Sequence, residues 1–271
     1  MVFIIAEIGI NHNGDLDTLK EMVVKAKYSG ADIVKIQSIK ANSLTKRDEY
    51  ESYRKYSDEY QRLASLELSM DDELEFIHTA KLHNITPMTT IFSPNHHDYF
   101  NSLGYDYLKL SGYSMRAFDW GNKLDKFNFK HLVFSTSSLH LHDIEKCIKN
   151  LQGVDFTILH CICLYPTPFE KLNLSSIQHL KTLHDKVGFS DHSDNLLPSK
   201  HAIFQGIDML EKHFTILDKE ETRDGKVSVT PDELKELHKF SNYTKDGQYL
   251  ELNGFNEEQR FNHEYYQGRF E

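Results

Sequence analysis

Two short segments late in the chain end on histidine. Ser190-Asp191-His192 and Glu211-Lys212-His213 each close a run that reads as a β-strand. Imidazole is the commonest metal ligand, and two strand-end imidazoles on neighbouring strands would hold a metal at one rim of a barrel. Glu7 and Asp191 read as carboxylates close to that pair. Hard nitrogen and oxygen ligation with open positions suits manganese, with magnesium or zinc as alternatives, and no thiolate set demands zinc. Other reactive side chains fall at strand ends in the same way. They are Glu7, Asn11 and His12 on or after a first strand, Lys35 and Gln37 on a second, Thr90 and Phe92 on a third and Lys109 on a fourth. Ser135 and Thr136 follow on a fifth, Cys163 and Tyr165 at a sixth, and Ser190 on a seventh. Two lysines converging on one cavity, with hydroxyls beside them, make a cradle for phosphate or carboxylate. Either lysine taken alone reads equally well as half of a salt bridge to a barrel carboxylate; the convergent set favours the cradle. Cys161 and Cys163 lie two apart on one side of a strand, lack the spacing of a zinc site, and read as small buried hydrophobes. The chain has 16 histidines, so most are bystanders. His96, His97, His140 and His142 stand at predicted helix starts and are expected on the surface.

The elements that must position these residues alternate. Strands are predicted at Val2–Gly9, Asp32–Ser38, Thr86–Phe92, Tyr107–Ser111, Leu132–Thr136, Phe156–Cys163, Val187–Ser190 and Met209–His213, from their β-branched and aromatic content. Helical spacing fills the intervals, for example at Leu16–Ser29, Asp71–Asn84 and Asp143–Leu151. Gly30, Gly104 and Gly206 stand where helix-terminating glycines stand. Eight β-then-α units predict a single-domain α/β fold, a closed (β/α)8 TIM barrel over residues 1–245. An open doubly wound sheet is the alternative, and no glycine-rich dinucleotide loop follows the first strand to support it.

Size and charge agree with this. At 271 residues the chain matches the roughly 200–250 that barrels use as one unit. A net charge of −10 argues against a nucleic-acid partner, while a few lysines inside a site still admit an anionic substrate. No apolar run approaches the roughly 18 residues of a spanning helix, so no membrane partner is expected. Three cysteines and no visible targeting segment predict a cytoplasmic protein.

Two stretches break the rhythm. Residues 39–69 are polar, charged and tyrosine-rich, and an insertion after a strand falls on the catalytic rim, as a lid or as a solvated helical excursion. Residues 246–271 form an acidic, aromatic tail, either a docking helix or a partly disordered end.

The motifs AEIGINHNG (6–14), KIQS (35–38), LHCICLYPTP (159–168), GFSDHS (188–193) and EKHFT (211–215) agree in order and spacing with one family. Over about residues 2–240 the chain resembles the sialic acid (N-acetylneuraminate) synthase family. That resemblance implies a metal-dependent condensation of phosphoenolpyruvate with an N-acetylated amino sugar, giving a nonulosonic acid and phosphate. It places the metal on His192 and His213, and the phosphoenolpyruvate contacts on Lys35, Thr90, Lys109, Ser135, Tyr165 and Ser190. It places sugar contacts and acid–base roles on Glu7, Gln37, Phe92 and Asp224. Departures accompany it. Ser114 stands where the family has a sugar-touching glutamate, Cys163 stands for an asparagine, and Ser137-Ser138 replaces Gly-Met. The family's C-terminal antifreeze-like domain, which lends an arginine to the partner subunit, is not matched. A homodimer is implied, and the mouth is expected to be closed by the insertion, the tail or a separate capping polypeptide. Lys46, Arg47 and Arg54 of the insertion, or Arg260 and Arg269 of the tail, are the expected substitutes for that arginine. The competing expectations are a non-catalytic synthase paralogue serving as a partner subunit, and a related phosphoenolpyruvate–aldehyde condensing enzyme.

Overall fold

The structure, a computed structural model, describes residues 2–117, 120–247 and 264. Eight parallel strands close on themselves in sequence order. They are β1 (Phe3–Gly9), β2 (Ile33–Gln37), β3 (Thr86–Ile91), β4 (Tyr107–Leu110), β5 (His131–Ser135), β6 (Phe156–Cys161), β7 (Val187–Asp191) and β8 (Met209–His213). Helices α1 (Leu16–Tyr28), α2 (Tyr56–Leu66), α3 (Met70–Leu82), α4 (His97–Leu103), α5 (Gly112–Ala117), α6 (Gly121–Leu124), α7 (Leu141–Asn150), α8 (Ser176–Leu183), α9 (Leu197–Phe204) and α10 (Pro231–Gly247) lie between and after them. The predicted (β/α)8 barrel is therefore the observed fold, with strand bounds within two residues of those expected. The sixth strand stops at Cys161 rather than Cys163. Beyond it the chain turns: the Thr167 hydroxyl donates to the carbonyls of Ile162 and Leu164, and Thr167 N–H donates to the carbonyl of His192.

The strands are buried on both sides, so they read as near-continuous apolar runs with polar residues at fixed phase. Outward-facing residues such as Ile4, Val34, Leu108, Phe134, Ile158 and Leu210 join the helices in the main core. Inward-facing Ile5, Ile33, Met88, Val133, Leu159 and Met209 form a separate apolar plug inside the barrel. One residue pair further along the same phase, apolar gives way to polar. Glu7 lies opposite Lys35 and His213, Gln37 opposite Thr90, Thr90 opposite Lys109, and Ser190 opposite Glu211. The plug closes the barrel below, so this polar layer opens only toward the C-terminal mouth.

Residues 39–69 run along that mouth. They contain α2, which has no fully buried residue, and end at Ser69, whose side chain caps α3 in a reciprocal box with Asp72. The predicted tail at 246–271 lies outside the described residues apart from the end of α10 and Glu264.

Candidate active site

The floor of the mouth is an ionic cluster built from four strands. Lys35 Nζ sits 2.8 Å from Glu7 Oε2, 3.4 Å from Glu211 Oε2 and 2.9 Å from Thr90 Oγ1. Lys109 Nζ donates to both oxygens of Glu211 at 2.9 Å, and Ser190 Oγ donates to the same carboxylate at 2.7 Å. All these groups are buried. Burial alone would raise the Glu211 pKa, but Lys109 and Lys35 outweigh it and hold the carboxyl well below its ordinary range. For Lys109 the balance reverses: burial, aided by the charge on Lys35, lowers its pKa despite Glu211. Burial also opposes the charge on Lys35, yet Glu211 and Glu7 together raise its pKa. Two lysines and two carboxylates thus form a charge-balanced network.

Glu211 is the residue the sequence reading missed. It lies two positions before His213 on one strand, so the period-two rule puts both side chains on the inward face. The salt-bridge reading of each lysine is met, and the two lysines converge on one protein carboxylate, Glu211.

Glu7 is aimed by its backbone. Gly9 has φ of +57°, and the β1–β2 register shifts between Glu7 and Gly9. A Cβ at Gly9 would lie 3.2 Å from Glu7 Oε1 and 3.3 Å from Gln37 Nε2. Its absence leaves room for Gln37 Nε2 to donate to Glu7 Oε1 at 3.0 Å.

The two strand-end histidines are brought together, with ring centroids 5.3 Å apart. His192 Nδ1 lies 2.9 Å from the carbonyl of Ile162, so that nitrogen carries the proton. Nε2 is then the lone-pair nitrogen, 3.0 Å from the Tyr165 hydroxyl, whose ring stacks on the imidazole at 4.2 Å. Burial, reinforced by His213, pushes the His192 pKa down to about 3, so the ring is neutral. His213 Nδ1 is buried without a hydrogen-bond partner, 3.6 Å from Asp224 Oδ2. Among the described residues no three His, Cys, Asp or Glu side chains cluster as a metal site. Two adjacent imidazoles, one with a buried unsatisfied nitrogen, fit an ion that keeps several positions for water or substrate.

Asp191 does not join them. It points to the outer layer, accepting from Ser199 of α9 and lying 3.2 Å from Lys212. Cys161 faces inward, with its sulfur 3.8 Å from His192 Nδ1. Burial pushes its thiol up to about 12, so it behaves as the small neutral group expected. Ser135 is buried at the end of β5, in phase with the inward Val133.

Above the floor lies a cavity of about 630 Å³. Gln37, Phe92, Tyr165 and Asp224 line it, together with Ile39, Lys40, Ser43, Leu44, Arg62 and Leu63 from the insertion and Arg223 from the loop after β8. The insertion therefore forms a wall of the mouth. The arginine it presents is Arg62; Lys46, Arg47 and Arg54 are exposed and do not line the cavity. Arg260 and Arg269 lie outside the described residues. His96 also departs from its expected surface role, lining the cavity 2.8 Å from Ser43 Oγ, whereas His140 and His142 are exposed. Glu73 of α3 supports this wall from behind. It is buried and accepts hydrogen bonds from Ser38, Tyr99 and Tyr105, and burial raises its pKa.

A barrel with its polar layer gathered at the C-terminal mouth has the layout of barrel enzymes. The particular family follows from comparison: the chain belongs to the NeuB family, whose profile matches residues 22–246. It is 36% identical over 246 residues to the N,N'-diacetyllegionaminic acid synthase of Campylobacter jejuni, covering 86% of this chain and 73% of that protein. The N,N'-diacetyllegionaminic acid synthase of Legionella pneumophila is 34% identical over 252 residues, covering 87% and 70%. Among solved structures, the spore coat polysaccharide biosynthesis protein spsE of Bacillus subtilis superposes with a TM-score of 0.77 at 28% identity, covering 91% of this chain and 69% of that one. The N-acetylneuraminic acid synthetase of Leptospira borgpetersenii shares the fold at a TM-score of 0.85 and 23% identity, covering 99% and 92%.

Proposed function

We propose that the protein condenses phosphoenolpyruvate with an N-acylated amino sugar to give a nonulosonic acid and inorganic phosphate. The observation that carries this reading is the buried lysine–carboxylate floor beneath a sugar-sized cavity, in a chain whose relatives are named as legionaminic acid synthases.

Lys35, Lys109, Thr90, Ser135 and Ser190 hold the phosphate and carboxylate of phosphoenolpyruvate, and Tyr165 closes over them. Gln37, Phe92 and Asp224 face the sugar. The methylene carbon of phosphoenolpyruvate bonds to the sugar's aldehyde carbon, and the aldehyde oxygen takes up a proton. Water adds at the adjacent carbon and loses a proton, the carbon–oxygen bond to phosphate breaks, and a 2-keto acid remains. Glu7, fixed by Lys35 and Gln37, is the carboxylate placed to carry a proton between these steps. Holding two reactants in attack geometry is worth about 7–11 kcal/mol, and the rigid strand ends provide that ordering. His192 and His213 would hold a divalent ion, manganese in the first instance, which supplies Lewis-acid polarisation of a carbonyl oxygen. Charge supports the assignment. The floor is already balanced by its own carboxylates, so admitting a multiply charged anion calls for added positive charge nearby.

The test is phosphate release from phosphoenolpyruvate with manganese over a panel of N-acylated hexosamines, with the keto acid identified by mass spectrometry. Turnover abolished by chelation and restored by manganese is the expected result. No release with any sugar, from folded protein with bound metal, would overturn the reading in favour of a non-catalytic partner subunit.

A further inference from the structure

Arg62 of α2 has three features that do not serve folding alone. First, its guanidinium is clamped on one side. Nε donates to Glu59 Oε2 at 2.9 Å and Nη2 donates to Glu59 Oε1 at 2.7 Å. This two-pronged pairing fixes the plane of the group. Second, Nη1 is buried and has no acceptor. A buried donor on a charged group left unpaired is costly, and a ligand that satisfies it recovers that cost. Third, Arg62 lines the large cavity, whose walls also include Leu44, Leu63 and Phe92.

The chemistry of the missing acceptor follows. Arg62 shares Glu59 with Arg54, and Asp224 across the cavity adds a second carboxylate, so two carboxylates already offset the two arginines and the open N–H is matched by a neutral oxygen. Apolar walls beside a single fixed donor suit a group with a polar end and a methyl end. An N-acyl group has both, a carbonyl oxygen and a methyl. We propose that Arg62 is a specificity residue for the acceptor sugar: its free Nη1–H donates to the carbonyl oxygen of an N-acyl substituent, and Leu44, Leu63 and Phe92 receive the acyl methyl. This rests on the synthase reading above and extends it to a residue on the rim insertion, outside the strand-end set.

The test is steady-state kinetics of Arg62→Met and Arg62→Lys. The probes are N-acetylmannosamine and 2,4-diacetamido-2,4,6-trideoxymannose, with saturating manganese. Arg62→Met is expected to raise the sugar KM at least tenfold while the phosphoenolpyruvate KM stays within twofold. Arg62→Lys, which keeps one donor, is expected to fall between. An unchanged sugar KM, or equal rises for both substrates, overturns the role of Arg62. Should Arg62→Met fail to fold by circular dichroism, the Lys variant decides by the same split. Wild-type protein that releases no phosphate with either sugar overturns the synthase reading, and this inference with it. Wild-type turnover beside an unaffected Arg62→Met overturns this inference alone.

Discussion

Glu211 binds two lysines and a serine with one carboxylate, so on the proposed reading an anionic substrate would have to share or displace a protein group. Removing one partner of a buried pair leaves an uncompensated charge, at a cost of about 3–5 kcal/mol. Lys109→Met is therefore expected to lower folding stability by about that amount in denaturant titrations, and to weaken phosphoenolpyruvate binding far more than sugar binding. Equal losses for both substrates would make Lys109 purely structural. The lysines, histidines and Glu7 were legible because strand phase and chain position mark them. Glu211 obeys the same phase but was hidden beside the more conspicuous His213. A second prediction concerns His12. It is buried, its Nδ1 accepts from the Gly14 N–H at 3.0 Å, and burial pushes its pKa down to about 4. The unfolded chain takes up the proton first as pH falls below the usual 6.5. The native advantage is therefore complete above that pH and is lost toward pH 4. The slope is about 1.4 kcal/mol per pH unit, or about 3 kcal/mol in all. His12→Asn keeps an acceptor and should flatten the acid side of a stability–pH curve between pH 6.5 and 4; an unchanged slope would mean that His12 is protonated in the fold.

Elements decide where those residues meet. The strands could be read from sequence because both of their faces are apolar up to the mouth, where the inward phase turns polar. The insertion could not be read as far. Its polar composition reflects α2, whose side chains are not fully buried, and composition alone does not say which side faces a cavity. The sequence reading offered Lys46, Arg47 and Arg54 as its candidate cations, but the structure places Arg62 of α2, and none of those three, against the cavity. A backbone contact seats that helix. Gly14 has φ of +80°, and a Cβ there would lie 2.4 Å from the carbonyl oxygen of Ser65. Gly14→Ala adds both strain and a clash with backbone, which cannot rotate away. It is expected to cost about 1–3 kcal/mol and to displace the end of α2 beside Arg62 and Leu63. The measurable outcome is faster proteolysis within residues 39–69 and a raised sugar KM, with the phosphoenolpyruvate KM little changed. Normal protease resistance in a folded Gly14→Ala variant would show that α2 is held by other contacts.

At the scale of the whole molecule, charge and closure are separate matters. The net charge of −10 belongs to the chain as a whole, while the buried floor pairs its own lysines and carboxylates, so under the proposed function local donors rather than a basic surface would receive the anion. Among the described residues no helix is long and apolar enough to cross a membrane. The cavity is lined by loops from several parts of the barrel: the insertion after β2, the turn after β3 at Ser93 and His96, Tyr165 after β6, and Arg223 and Asp224 after β8. Each wall named here lies before residue 247. A chain ending at residue 247 is therefore expected to keep its thermal midpoint within a few degrees and its sugar KM within twofold. A tenfold rise in sugar KM on truncation, with the midpoint unchanged, would assign residues 248–271 a part of the mouth and bring Arg260 and Arg269 back as sugar contacts. Mixing the truncated chain with an excess of an inactive full-length Lys109→Met variant then separates two routes. Recovery of the sugar KM would mean that the tail reaches a neighbouring subunit, and no recovery would mean that it folds back on its own barrel.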